Sequence, residues 1–190
     1  MSVLNAIVRA FRASETIFVT ETLIDRFDLK LLAAVQRNGH ATNAELGEQA
    51  GLSASQASRR VQRLQEVGVI SGYTALLDPA ALGLGVTAYA QVLLERHDKS
   101  RPQDFEKQVA AIPEVLECFA VTGEADYVLR IVAPDLAAFS DLMTKKLLTL
   151  PGVAQVKTSI ALSKIKATHE MPLSHISRPP QKARRVRYTG

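Results

Sequence analysis

The 190-residue chain has a single cysteine, Cys118. It can build neither an intramolecular disulfide nor a cysteine-rich zinc site, a composition suited to a reducing compartment. No apolar run approaches the roughly 20 residues a membrane helix needs, so a soluble protein is expected. The glycine pattern of a dinucleotide fold is missing as well. Gly83-Leu84-Gly85 is followed by Ala88 where a third glycine would stand, and the chain then reads as a strand instead of opening a helix. The four histidines, His40, His97, His169 and His175, are scattered and form no spaced metal set. Cys118 lies in an apolar stretch and reads as a buried small side chain, not a nucleophile. With no triad and no ligand constellation, no catalytic residue, metal or cofactor is assigned, and the chain is not expected to be an enzyme.

A secretion signal is also lacking. Leu4, Ile7, Val8 and Phe11 recur at helical spacing, but Arg9 and Arg12 interrupt them and no small-residue cleavage site comes after. Residues 1–23 are therefore read as an extension carrying a short amphipathic helix, with a membrane-surface anchor or an upstream start as the alternatives, and a cytoplasmic location is expected. Acidic residues are absent from 173–190, which hold Arg178, Lys182, Arg184, Arg185 and Arg187. This tail accounts for the net charge of +4 and the pI of 9.3. Arg178-Pro179-Pro180 breaks regular structure, and the tail is expected to be a disordered arm, either solvated with no specific partner or in contact with DNA phosphates; no membrane partner is expected for the chain. Bulk charge speaks only to non-specific attraction, so a nucleic-acid reading has to rest on the placement of particular arginines.

Residues 24–74 supply that placement. Asp25-Arg26-Phe27-Asp28 opens a helical pattern with Phe27, Leu31, Leu32 and Val35 on one side, stopped at Asn38-Gly39. Thr42-Asn43-Ala44-Glu45 and Ser53-Ala54-Ser55-Gln56 are two capping boxes, and Gly51 between them can take the positive φ of a tight turn. This spacing predicts a helix-turn-helix. In its last helix, about Ala54 to Val67, Ala57, Val61 and Leu64 face inward, while Ser55, Gln56, Arg59, Arg60 and Arg63 lie mainly elsewhere. Ser55, Gln56 and Arg59 are candidate contacts to base edges and Arg60 and Arg63 to phosphates, with Ser53 and Ser58 completing the DNA-facing set. A solvated arginine face would be the plainer reading of an isolated helix; the capped tri-helical context favours duplex DNA.

After a linker at 75–85, the pattern over 86–172 is βαββαβ. Strands are expected at Val86–Glu95, Val115–Val121, Asp126–Ala133 and Val153–Leu162, and helices at Pro102–Ile112 and Asp135–Leu148. Ile112-Pro113-Glu114-Val115 and Leu150-Pro151-Gly152-Val153 form a weak internal repeat in which proline stops a helix before a strand begins. Two such halves give a ferredoxin-like sheet with both helices on one face. Apolar residues on the other face predict a homodimer. The fold class is thus α+β.

These segments, together with Gly51-Leu52-Ser53, Arg59-Arg60-Val61, the run from Gly68 to Leu77, and Gly123-Glu124-Ala125-Asp126-Tyr127, resemble the leucine-responsive/asparagine regulator (Lrp/AsnC) family. The resemblance covers about Ile24 to Pro172. It implies a winged-type helix-turn-helix domain and a RAM-type ferredoxin-like domain that assembles into dimers and then tetramers or octamers. It also implies a sequence-specific transcriptional regulator that senses a small molecule, often an amino acid. Family members line a ligand cleft between subunits with the region matching Thr122, Gly123, Glu124 and Asp126. An amino acid needs an acceptor for its ammonium, for which Asp126 stands, and donors for its carboxylate, for which loop N–H groups or the Thr158 and Ser159 hydroxyls stand. The sequence departs from the family at Ala54, Gln56, Ser58 and His40, so operator preference is not inherited. Three other readings stay open: a hairpin with a capping aspartate, a siroheme decarboxylase on the same architecture, and a sensor with a degenerate DNA-binding half.

Overall fold

The computed structural model describes residues 23–95 and 101–176. The amphipathic segment expected before residue 23, His97, and the basic residues from Arg178 onward lie outside them. The described chain forms two compact units. One comprises residues 23–74 with 168–176, the other 75–167. No described helix is long and apolar enough to cross a membrane.

The first unit holds three helices: α1 (Arg26–Arg37), α2 (Asn43–Ala50) and α3 (Ala54–Glu66). Each is opened by a capping box in which the cap side chain accepts an early N–H and the third residue reaches back. Two boxes are those expected at Thr42/Glu45 and Ser53/Gln56. The box at Asp25/Asp28 has the same geometry, built from two aspartates. Leu31, Ala34, Leu46, Ala50, Ala57 and Val61 form the core between the helices. The α2–α3 turn is closed by Gly51 at φ 75° and by the Leu52 N–H donating to Gly47 O at 2.8 Å. Gly47 serves the same turn sterically: a Cβ there would stand 2.7 Å from Leu52 O. Beyond α3, residues 71–78 carry no strand, so the chain has no paired wing of its own among the described residues.

In the second unit β1 (Val86–Leu94), α4 (Arg101–Val109), β2 (Val115–Ala120), β3 (Tyr127–Ala133), α5 (Leu136–Lys145) and β4 (Val153–Ile160) keep the expected order, with a 3-10 turn at Leu147–Thr149. The antiparallel sheet runs β2-β3-β1-β4. Alternate residues Ala88, Ala90 and Val92 of β1 and Leu129 and Ile131 of β3 pack with Phe105, Val109, Phe139 and Leu142 from the two helices. Both helices therefore cover one face. On the other, Tyr89 and Phe119 are 46% and 59% exposed. Cys118 is partly buried against the core, and its thiol pKa is pushed up by that burial and by the neighbouring Glu106 charge.

Candidate functional site

Helix α3 divides its polar side chains by what holds them. Ser53 Oγ accepts from Gln56 N–H at 3.3 Å, and Gln56 Oε1 accepts from Ser53 N–H at 3.0 Å. The Gln56 carbonyl is thereby occupied, while its exposed NH2 group remains available as a donor. Ser55 Oγ lies 3.1 Å from Ser53 Oγ. Ser55 and Arg59 are exposed and Ser58 is partly so.

Arg60 and Arg63 are placed differently from the expectation of two phosphate-facing guanidinium groups. Arg60 Nη1 lies 2.8 Å from Asp25 Oδ2 and 2.9 Å from Asp28 Oδ1, and Arg63 Nη2 lies 2.6 Å from Asp28 Oδ2. Arg63 also donates to Leu23 O at 3.2 Å. Asp28 is 1% exposed, and a buried carboxylate with one cation removed would be strongly unfavourable. The geometry therefore supports a pinning role for the pair. It fixes the outer face of α3 to the start of α1, and the Arg60 guanidinium sits 5.5 Å from the Phe27 ring centroid. Arg60 is held more firmly protonated, first by the Asp28 hydrogen bond and then by Asp25. The Asp25 carboxyl is held below its ordinary value chiefly by the Asp28 N–H; desolvation opposes this, and Arg60 and the Phe27 N–H reinforce it. Arg59 makes no ion pair with any described residue and borders an open cleft of ≈ 690 Å³ with Gln56, Leu52, Ile24 and the pinned pair.

In sequence, the two aspartates read only as a helix start. Their spacing of three residues, matched by the same spacing of Arg60 and Arg63, is the signal that could have found them, but nothing in the chain says that the two turns face each other.

In the second unit, Thr122, Gly123 and Glu124 are exposed in the loop between β2 and β3, with Gly123 at φ 124°. Asp126 is engaged in the backbone: its Oδ2 accepts from Leu94 N–H at 2.7 Å, and its own N–H donates to Val92 O at 2.9 Å. It thus extends the β1–β3 pairing past its last rung. Thr158 pairs with Ala90 and Ser159 with Tyr89, so the two hydroxyls point to opposite faces of the sheet. Within one chain neither neighbours the loop. The residues that do are Gln91, Leu93, Gln155 and Lys157, which with Glu124 and Ala125 line a cleft of ≈ 30 Å³. Sequence reasoning misses them because the β1–β4 register is not legible from periodicity.

Of the histidines, His40, His169 and His175 are exposed, and no cluster of three metal-ligating side chains occurs among the described residues.

A capped helix-turn-helix with a polar third helix, on a chain that also carries a ferredoxin-like unit, defines a DNA-binding regulator. Comparison with known proteins agrees. Residues 24–65 match the AsnC-type helix-turn-helix domain and residues 87–171 the Lrp/AsnC ligand binding domain. The Bkd operon transcriptional regulator of Pseudomonas aeruginosa is 38% identical over 150 residues, 79% of this chain and 98% of that protein. A leucine-responsive regulatory protein of Rhizobium meliloti is 37% identical over 148 residues, 78% of this chain and 95% of its own. Among solved structures, a transcriptional regulator of Neisseria meningitidis in complex with L-methionine superposes with a TM-score of 0.79 at 40% identity, covering 81% of this chain and 99% of that one. A feast or famine regulatory protein of Mycobacterium tuberculosis, also complexed with L-methionine, gives 0.72 at 32% identity, covering 78% and 99%. The chain belongs to the Lrp/AsnC family of transcriptional regulators.

Proposed function

We propose that α3 reads operator DNA with Ser55, Gln56 and Arg59 at base edges, and that Arg60 and Arg63 set the helix in place instead of binding phosphate. The observation that carries this is the split among the three arginines: two are tied to Asp28 and Asp25, and Arg59 is left facing solvent. Gln56 presents only its NH2 donors, because its carbonyl accepts from Ser53 N–H. It therefore suits base acceptors such as guanine O6 or N7 better than the two-way pairing glutamine makes with adenine. Ser53 is confined to capping, with Ser58 at the margin of the contact.

The effector is an amino acid, bound where the loop Thr122–Asp126 meets β1 and β4. The support is chemical and comparative. Glu124 and Lys157 flank the cleft with opposite charges, matching an ammonium and a carboxylate, and two structural relatives hold L-methionine. A cleft of ≈ 30 Å³ has room for about one water, so a site of useful size requires a second copy. The open sheet face, on which Tyr89 and Phe119 stand exposed, is suited to meet one. A homodimer, associating further to tetramers or octamers, would present paired α3 helices to half-sites about one helical turn apart. The protein acts in the cytoplasm as a regulator without catalytic activity.

The test is fluorescence anisotropy with the DNA upstream of its own gene. Arg59→Ala should weaken specific binding by roughly 5- to 150-fold, the range expected for one lost base contact, with unfolding unchanged. Equal affinity would remove Arg59 from the interface. Calorimetry with L-methionine and the other standard amino acids tests the effector: no heat, and no effect on DNA affinity, would refute it.

A further inference from the structure

The loop beside the small cleft, Thr122–Asp126, is held unevenly at its two ends. On the β2 side one main-chain bond closes it, Val121 N–H donating to Asp126 O at 2.9 Å, and Gly123 follows at φ 124°, a conformation other residues rarely adopt. On the β3 side two consecutive residues are fastened to different elements. Asp126 is tied to β1 through Leu94 N–H and Val92 O. Tyr127 is tied to α4: its hydroxyl donates to Glu106 Oε1 at 2.7 Å, and its ring stands 4.7 Å, centroid to centroid, from the Phe105 ring at a tilt of 41°. Tyr127 and Phe105 are buried, whereas Glu106 is exposed. A buried phenol needs a partner for its O–H, and a carboxylate reaching in from solvent supplies one. Burial first, and the Glu106 charge next, push the Tyr127 pKa up, so the phenol stays a donor. Tyr127 packs on the helix-covered face with Leu129 and Ile131, while Gln91 and Leu93 line the cleft from the other face.

We propose that Tyr127 and Glu106 are positioning residues of the effector site: their hydrogen bond fixes the β3 end of the loop on α4 and thereby sets Glu124 and Ala125 at the cleft. This rests on the effector reading of that loop. Neither group lines the cleft, so the pair acts through the backbone and not on the amino acid. Between the fastened residues and Gly123 lie only Glu124 and Ala125. Where Tyr127 is held therefore governs where a carboxylate three residues earlier can stand. With the phenol released, the incoming amino acid has to order the loop itself, and the cost of that ordering is subtracted from its affinity. The charges offered to the ligand are the same in both cases; only their placement before binding differs.

The experiment uses the full chain as wild type, Tyr127→Phe, Glu106→Ala, Glu106→Gln and the double variant Tyr127→Phe/Glu106→Ala. Calorimetry with L-methionine and the other standard amino acids, each added singly, gives the effector affinity. Anisotropy on operator DNA without amino acid, and thermal unfolding, are measured beside it. Tyr127→Phe keeps the ring against Phe105 and strands no buried charge, because Glu106 is exposed. It should weaken amino-acid binding by roughly 3- to 10-fold, the net contribution of one hydrogen bond, with DNA affinity unchanged. Glu106→Ala should match it, and the double variant should lose no more than either single one. Glu106→Gln keeps an acceptor oxygen and should bind within about twofold of wild type. Unchanged amino-acid affinity in Tyr127→Phe overturns the proposal. Glu106→Gln as weak as Glu106→Ala overturns it too, since the Glu106 charge would then act on the ligand directly. A matching fall in DNA affinity without amino acid, the mark of general loosening, has the same consequence. If no amino acid gives heat with the wild type, the effector reading of the loop falls and the proposal with it; heat with the wild type and an unaltered Tyr127→Phe sinks the pair alone.

Discussion

Arg63 Nη2 lies 2.6 Å from Asp28 Oδ2, the same oxygen that accepts the Asp25 N–H at 3.1 Å. One carboxylate oxygen therefore closes the cap of α1 and fastens the third helix to it. The arrangement makes the angle of the third helix depend on the first turn of the unit's first helix.

Removing that carboxylate should cost stability before it costs recognition. Asp28→Ala leaves two arginines without their shared partner and α1 without half its capping box, so a loss of about 2–4 kcal/mol is expected. The arginines are partly solvated, which holds the figure to the lower half of that range. Urea unfolding monitored by circular dichroism measures it. A change below about 0.5 kcal/mol would show that the pair does not pin the helices.

The turn between α2 and α3 gives a steric test. Gly47→Ala would bring a Cβ to 2.7 Å from Leu52 O and 3.2 Å from Ser53 C and O. All three are backbone atoms, so the turn itself must move, at an expected cost of about 1–3 kcal/mol with weaker operator binding. Gly72→Ala, with nothing within 4 Å of its Cβ, should be nearly silent in both assays.

Acid should loosen the first unit through Asp25. Its folded pKa is depressed, so its stabilisation is present above the ordinary carboxyl value of 3.8 and is lost as pH falls through the folded value. Asp25→Asn keeps a good helix cap but cannot titrate. Its stability curve should lie below wild type at neutral pH and converge with it toward about pH 2. Parallel curves across the acid limb would show that ionisation of Asp25, favoured chiefly by the Asp28 N–H and then by Arg60, contributes nothing there.

The open sheet face should govern assembly. Phe119 stands opposite Val128 and is 59% exposed, and Tyr89 on the same face is 46% exposed. Phe119→Asp places a charge in that patch and should shift the species seen by light scattering toward the monomer, with far-ultraviolet circular dichroism unchanged. A mass equal to wild type at micromolar protein would place the interface elsewhere.

Much of the architecture is written locally. The caps at Thr42/Glu45 and Ser53/Gln56 and the positive φ at Gly51 are settled by residues within four positions of each other, and all are legible in the chain before any coordinates; the two helices of the second unit end at Val109 and Lys145, ahead of the prolines expected to stop them. The βαββαβ order comes from periodicity alone. Element ends differ from the expected ones by a few residues where helix geometry tightens, as at Leu147–Thr149.

The chain cannot announce which of its polar groups are already taken. Arg59, Arg60 and Arg63 share one helix and one charge, yet two of them find carboxylates more than 30 residues away in sequence. Thr158 and Ser159 look equivalent until the register sets them on opposite faces and puts Gln155 and Lys157 beside the loop. Local propensity and hydrophobic period determine the elements, because neighbouring residues fix backbone angles and faces. Only the packing of those elements decides the free surface, because a guanidinium becomes a tether or a reader according to which groups the fold brings within about 3 Å of it.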